Sequence, residues 1–174
     1  MSTGPRTRVP FRRRREGRTD YRARLALLKS GEVRLVVRRT ATNVIVQFVD
    51  WAEAGDQVKA TAVAQELGKM GWEGSTKNTP AAYLTGLLAG KRAAEKGVKD
   101  AVLDIGQRKP SKGGRVFAAL QGVLDAGIQV PHGEGLTPAK ERLTGAFLGQ
   151  DKNFEAVRAK IGIRAATSAN DEEA

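Results

Sequence analysis

The sequence predicts an α/β fold in which a mixed sheet is flanked by helices. Three observations predict it. Two β-branched runs, 33–39 and 43–49, stand either side of the short link Thr40-Ala41-Thr42. Two amphipathic stretches, 80–96 and 115–126, are bounded by capping residues and glycines. A third apolar run, 101–105, falls between those two stretches, the spacing of a strand–helix crossover.

Residues 1–18 contain Pro5 and Pro10 and show no hydrophobic periodicity, so they read as a disordered basic arm that orders on its partner. A first helix is predicted at about 19–30. Thr19 is its expected N-cap, Asp20 suits the positive end of the helix dipole, and Tyr21, Leu25 and Leu28 recur at helical spacing before Gly31. Val33, Leu35 and Val37 then share one face of a strand. The run 43–49 is apolar nearly throughout, as in a strand covered on both faces, and the short link makes the pair an antiparallel hairpin. A turn at Gly55-Asp56 leads to a third strand at 57–62, and 62–70 is expected to begin a short helix.

The clearest helix is 80–96. Thr79 is its expected cap, Pro80 stands at N1 and Gly97 follows its end, with Tyr83, Leu84, Leu87 and Leu88 as the core stripe. A buried strand at 101–105 comes next. A basic, glycine-containing loop at 106–115 follows it, and then a helix at 115–126 carrying Val116, Phe117, Leu120, Val123 and Leu124. Ile128-Gln129-Val130 is predicted as a short last strand, stopped by Pro131. One helix is expected from Thr137-Pro138 to about 148, and another from Asn153 or Phe154 to about 161. Trp51 and Trp72 are read as core. The chain divides into a basic arm (1–18), an α/β domain (19–133), a C-terminal helical extension (134–165) and an acidic tail (166–174) expected to be disordered.

Charge is unevenly placed. Nine arginines and two acids fall within residues 1–24, which hold +7 of the formal +11. Arginine pairs with phosphate through two hydrogen bonds and stacks on bases, so RNA or DNA is the expected partner. The absence of cysteine excludes disulfides, thiolate metal sites and a cysteine nucleophile, and it fits a reducing compartment. No apolar run reaches the roughly 20 residues that cross a bilayer, so no membrane partner is expected. The basic N-terminus lacks the apolar segment of a secretory signal, and its prolines argue against a mitochondrial presequence.

Catalytic motifs are weak. His132, the single histidine, cannot build a zinc site alone, and no nucleophile turn accompanies it. It reads as a surface-turn residue. The stretch Gly86-Leu87-Leu88-Ala89-Gly90-Lys91-Arg92 is one residue short of a P-loop and lies within a helix, where Gly86 and Gly90 allow close packing. Asp104 interrupts a buried strand, as a two-metal nuclease aspartate does, but such a site needs several acids and only Asp50 and Asp56 are candidates. Asp104 is therefore read as structural. No cofactor is expected.

Four stretches are candidate nucleic-acid contacts. The arm and first helix offer Arg6, Arg8, Phe11, Arg12, Arg13, Arg14, Arg15, Arg18, Tyr21, Arg22 and Arg24. The hairpin tip offers Arg38, Arg39, Thr40 and Asn43. The basic loop offers Arg108, Lys109, Lys112 and Arg115 ahead of a helix N-terminus, whose free N–H groups favour an anion. Lys77 and Asn78 precede the Pro80 helix. Phe11 and Tyr21 could stack on bases.

The run from Val9-Pro10-Phe11 through the arginines to Thr19-Asp20-Tyr21, with Arg24-Leu25 and Leu27-Leu28-Lys29-Ser30-Gly31, resembles the opening of the archaeal large-subunit ribosomal protein family L-eighteen, whose eukaryotic counterpart is L-five. Residues 34–40, 83–90, 101–106 and 130–132 extend the resemblance, which covers about 4–133. It implies a ribonuclease H-like sandwich without that enzyme's catalysis. It also implies binding to 5S rRNA and 23S rRNA among the proteins of the central protuberance, in the cytoplasmic ribosome. The family's RNA grip falls on Arg12 to Arg15, Arg18, Tyr21, Arg22 and Arg24, and its hairpin contacts fall on Arg38, Arg39, Thr40 and Asn43. The chain departs from the family's frequent Asn-Lys-His at Thr42-Asn43-Val44. Two other readings stand beside this one: a non-ribosomal basic nucleic-acid-binding protein, and a metal-dependent nuclease using Asp104.

Overall fold

A computed structural model describes residue 4 and residues 7–162; Arg6, residues 163–165 and the tail 166–174 lie outside the described residues. Four strands form one mixed sheet: β1 (Arg34–Arg39), β2 (Val44–Asp50), β3 (Gln57–Val63) and β4 (Val102–Asp104), in the order β3-β2-β1-β4. β1 pairs antiparallel with β2, β2 antiparallel with β3, and β4 runs parallel to β1. The expected hairpin is present. At its tip the Thr40 amide donates to the Asn43 carbonyl at 2.8 Å, and the Asn43 amide donates to Thr40 Oγ1 at 2.9 Å.

Alternation along the strands gives the sheet two unlike faces. Leu35, Val37, Val44, Val46, Phe48, Ala60 and Ala62 belong to the main core. Arg34, Val36 and Arg38 point the other way. The core face is covered by two helices, α4 (Thr79–Glu95) and α5 (Arg115–Asp125). α4 is buried from Pro80 to Gly90, which is why its sequence is apolar nearly all round. Gly86 and Gly122 let α4 and α5 touch backbone to backbone. A β-carbon on Gly86 would overlap the Ala119 carbonyl, and one on Gly122 would overlap the Tyr83 carbonyl.

The opposite face is covered by α2 (Tyr21–Lys29), which has no buried residue. Its apolar stripe is a correction to expectation: Leu25 is 55% exposed and Tyr21 38%. The helix stands off the sheet across a cavity of about 640 Å³ lined by Arg34, Arg38 and Asp104 as well as Leu27, Val36 and Leu103, so its stripe is not packed into a core. Asp20, not Thr19, is its cap, because the Asp20 carboxylate accepts from the Arg22 and Ala23 amides. The same correction applies to α4, where Asn78 Oδ1 accepts from the Ala81 amide at 2.9 Å and Thr79 is already helical. In the arm a four-residue helical turn, α1 (Arg12–Arg15), stands where no periodicity pointed to structure. Glu16 supports it by pairing with Arg12 and Arg18 at 3.7 and 3.1 Å.

A single turn, α3 (Glu66–Lys69), follows β3. Arg92 donates to Glu66 Oε2 at 2.6 Å and holds its carboxyl below the usual carboxylate range, against the opposing effect of burial. The predicted last strand is only a bridge: Gln129 pairs with Asp100 parallel to β4, and Pro131 forbids extension. Trp72 is core, whereas Trp51 is 56% exposed just beyond the end of β2.

The helix expected from 137 to 148 is broken. α6 spans Lys140–Thr144, Gly145 turns the chain at φ 74°, and a 3-10 turn follows at Ala146–Leu148. Gly145 packs against Pro80, leaving no space for a β-carbon. α7 (Asp151–Ile161) then returns to the domain and buries Phe154, Val157 and Ile161 in the main core. Burial of this kind contributes about 2 kcal/mol per large side chain. The Phe154 and Tyr83 rings lie 5.4 Å apart, and Lys91 Nζ donates to the Ile161 carbonyl at 2.6 Å. Tyr83 in turn donates to Asp125 at 2.5 Å, tying α4 to α5. Burial first, then that carboxylate, pushes the phenol well above its ordinary value, so it remains a donor.

Candidate nucleic-acid interface

Four successive arginines in one helical turn point in four directions about 100° apart. In α1 all four are exposed, and only Glu16 lies close enough to compensate any of them. Arg13 Nε donates to Thr19 Oγ1 at 2.9 Å, which anchors the turn to the start of α2. Among the described residues the guanidinium groups of Arg8, Arg14, Arg15 and Arg22 meet no acid and no hydrogen-bond acceptor. Phe11 and Tyr21 pack at 5.9 Å between ring centroids yet stay exposed. The arm is thus a cationic knob carrying two accessible rings.

Beneath α2 three guanidiniums share two carboxylates, and among the described residues Arg34 Nε is buried without a partner. Arg24 and Arg34 both reach Asp56 Oδ2, at 2.9 and 2.7 Å. Arg34 also meets Asp104 at 3.5 Å, and Arg38 donates to both the Asp104 carboxylate at 2.8 Å and its carbonyl at 2.7 Å. The Gly106 amide adds a further donor to Asp104 at 2.8 Å. Sequence reasoning missed this chain of charges because Arg34 reads simply as the polar member of an alternating strand; it is only 4% exposed. Asp104 is a structural acceptor here. Arg24 and Arg38, both candidate contacts, are already committed to acids. Replacing Asp104 with alanine should cost about 2 kcal/mol, because Arg34 stays buried with only Asp56 to answer it. A lowered melting midpoint checks this; an unchanged one would show the network contributes nothing to stability.

A second cationic region lies at the other face. Strand alternation sends Arg39 away from Arg38, toward the N-terminus of α5. There Arg39, Arg108, Lys109, Ser111 and Arg115 line a cleft of about 390 Å³. Arg115 donates to the Lys77 carbonyl at 2.7 Å. Burial, then the nearby Arg39 charge, lowers its pKa, so two guanidiniums are held close with no anion between them. The cap of α5 is Gly114, which has no side chain to occupy the first-turn amides. Lys112 stands exposed in the same loop. Lys77 is brought to this region mainly through its backbone. Asn78 is spent on capping α4 and on donating to Gln150 at 3.0 Å. Thr40 is spent on the hairpin turn. Asn43 Oδ1 is buried there without a partner.

His132 is exposed, and its Nδ1 hydrogen-bonds to the Val130 carbonyl at 2.8 Å. Among the described residues no three His, Asp or Glu side chains gather as metal ligands, and no helix is long and apolar enough to cross a membrane.

An α/β scaffold carrying two faces of uncompensated arginine and lysine, with its buried acids locked in structural ion pairs, is built to hold a polyanion. The family described as "Ribosomal large subunit proteins 60S L5, and 50S L18" matches residues 5–102 and 93–133. The large ribosomal subunit protein uL18 of Methanothermobacter thermautotrophicus is 52% identical over 148 residues, covering 85% of this chain and 77% of the relative. Those of Aeropyrum pernix and Korarchaeum cryptofilum are each 54% identical; they cover 86% and 85% of this chain and 71% and 76% of themselves. The class is therefore that of large-subunit ribosomal proteins, structural rather than enzymatic. The chain belongs to the L5/L18 family, and its similar relatives are archaeal.

Proposed function

We propose that this protein binds 5S rRNA and helps attach it to 23S rRNA in the central protuberance of the large subunit, beside neighbouring ribosomal proteins in the cytoplasmic ribosome. The observation that carries the reading is the arm. Residues 1–24 hold most of the net charge, and the arginines of α1 stand clear of the domain with almost no internal partner. Docking on phosphates releases counterions and supplies charge-assisted hydrogen bonds, which offset the ordering of the chain. Phe11 and Tyr21 provide rings for unpaired bases. The cleft at the N-terminus of α5 offers a second RNA contact through Arg39, Arg108, Lys109 and Arg115, so one domain can span two RNA segments. In this reading residues 1–18 act as the gripping arm and 19–133 set its register, as backbone contacts commonly do.

Competition tests the reading. With labelled 5S rRNA bound at moderate salt, excess unlabelled 5S rRNA should displace it at far lower concentration than excess tRNA. Equal competition by the two would reduce the protein to a general polyanion binder.

A further inference from the structure

The segment 136–150 lies beyond the residues matched by the family, and its packing brings it to the basic loop. The Gly113 amide donates to the Leu136 carbonyl at 2.9 Å. A β-carbon on Gly113 would stand 3.8 Å from Arg142 Nη1, so the guanidinium lies against the loop backbone. Arg142 is exposed, and among the described residues its guanidinium meets no acid and no acceptor, although Glu141 precedes it in sequence; Lys140, two positions earlier, leaves α6 about 200° away. The broken helix explains the placement. Gly145 turns the chain against Pro80 and Gln150 accepts from Asn78, which pins α6 at the N-terminal end of α4, where Arg115 reaches Lys77.

We propose that Arg142 extends the cationic surface begun by Arg39, Arg108 and Arg115, and that α6 is through it an RNA-backbone contact. This rests on the ribosomal RNA reading above and adds to it an element remote in sequence from the arm. The argument is electrostatic. Cations gathered on one face without acids repel one another, and the repulsion is relieved by an anion that spans them. A phosphodiester backbone presents charges at intervals that several side chains can meet together, with arginine forming paired hydrogen bonds. An acidic protein surface could meet the same charges, and the experiment separates the two.

The test uses the full chain with Arg142→Ala. The control is Lys96→Ala, which removes equal charge at the opposite end of α4. Binding to transcripts of 5S rRNA and of 23S rRNA is measured across a salt series. The expected result is about a fivefold loss against at least one transcript and a salt slope shallower by about 0.8, as loss of one phosphate contact requires. The control should change affinity no more than twofold. If the parent binds both transcripts while Arg142→Ala matches the control on each, the inference fails alone and the face is left to a protein neighbour. If the parent binds neither, the ribosomal RNA reading fails with it. Thermal melting of both variants should match the parent, since neither side chain is buried.

Discussion

Replacing Arg12, Arg13, Arg14 and Arg15 together with alanine will weaken 5S rRNA binding about a thousandfold or more, and will flatten its salt dependence by about three in slope. The protein will remain folded. Among the described residues these side chains make only the Arg12–Glu16 pair and the Arg13–Thr19 hydrogen bond, both exposed, so almost none of the domain's stability passes through them. The two readouts separate causes. A lost fold would lower both the melting midpoint and the affinity, whereas lost phosphate contacts lower affinity and slope alone. Filter-binding titrations at several salt concentrations, beside a thermal melt, check the result. Parallel salt slopes for parent and variant would place the RNA grip elsewhere.

The second large effect concerns the helix pair under the sheet. Gly86→Val will destabilise the domain by about 3 kcal/mol or more, a drop of about 10 °C in the melting midpoint. The new side chain would enter the Ala119 backbone, which cannot rotate aside as a side chain can. α4 and α5 would have to separate along their whole contact, opening the space now filled by Leu84, Leu87, Leu120 and Val123. Gly90→Ala adds only a methyl and is expected to be milder, but the new methyl would overlap the Ala126 β-carbon, which is fixed to its backbone, so α4 and α5 must still shift there. If Gly86→Val melts with the parent, the close approach of these helices is not needed for stability.

Most of the architecture was legible because it follows from local pattern. The hairpin, the α4 stripe, the α5 stripe and the parallel strand between them are each written in the period of their apolar residues. The caps of α2 and α4 were legible only to within a residue, whereas α7 starts at Asp151, two to three residues before the expected Asn153 or Phe154. Thr19 and Asp20 stand side by side, as do Asn78 and Thr79, and each is a good cap; the choice falls on whichever oxygen meets the second- and third-position amides. Other features were not legible, among them the α1 turn and the exposed stripe of α2. Trp51 reads as core from its size, but it falls where β2 leaves the sheet and is 56% exposed there. The single helix expected at 137–148 is divided by Gly145, whose left-handed conformation is required by contact with Pro80, 65 positions earlier.

The candidate contacts divide by the same logic. Charge density marked the arm without reference to any fold. Arg38 and Arg39 look equivalent in the sequence, yet the pleat sends one to Asp104 and the other to the open cleft. Arg24 likewise belongs to Asp56, a partner no spacing rule would suggest. The ion pairs beneath α2 mean that a positive residue here is not by itself an RNA contact; its nearest acid decides.

The return of α7 to the core has a consequence for how the molecule is made. Phe154, Val157 and Ile161 fill the space beside Tyr83, so the interior stays open until that last helix has cleared the translating ribosome. At ordinary synthesis speeds the stretch from Asp125 to Ile161 takes roughly two to seven seconds to emerge. Throughout that interval the arginine knob is already outside while its parent domain is unfinished. Nascent chains would therefore meet polyanions before they can close, and a cell that shields that segment during elongation would protect the newborn protein from premature capture.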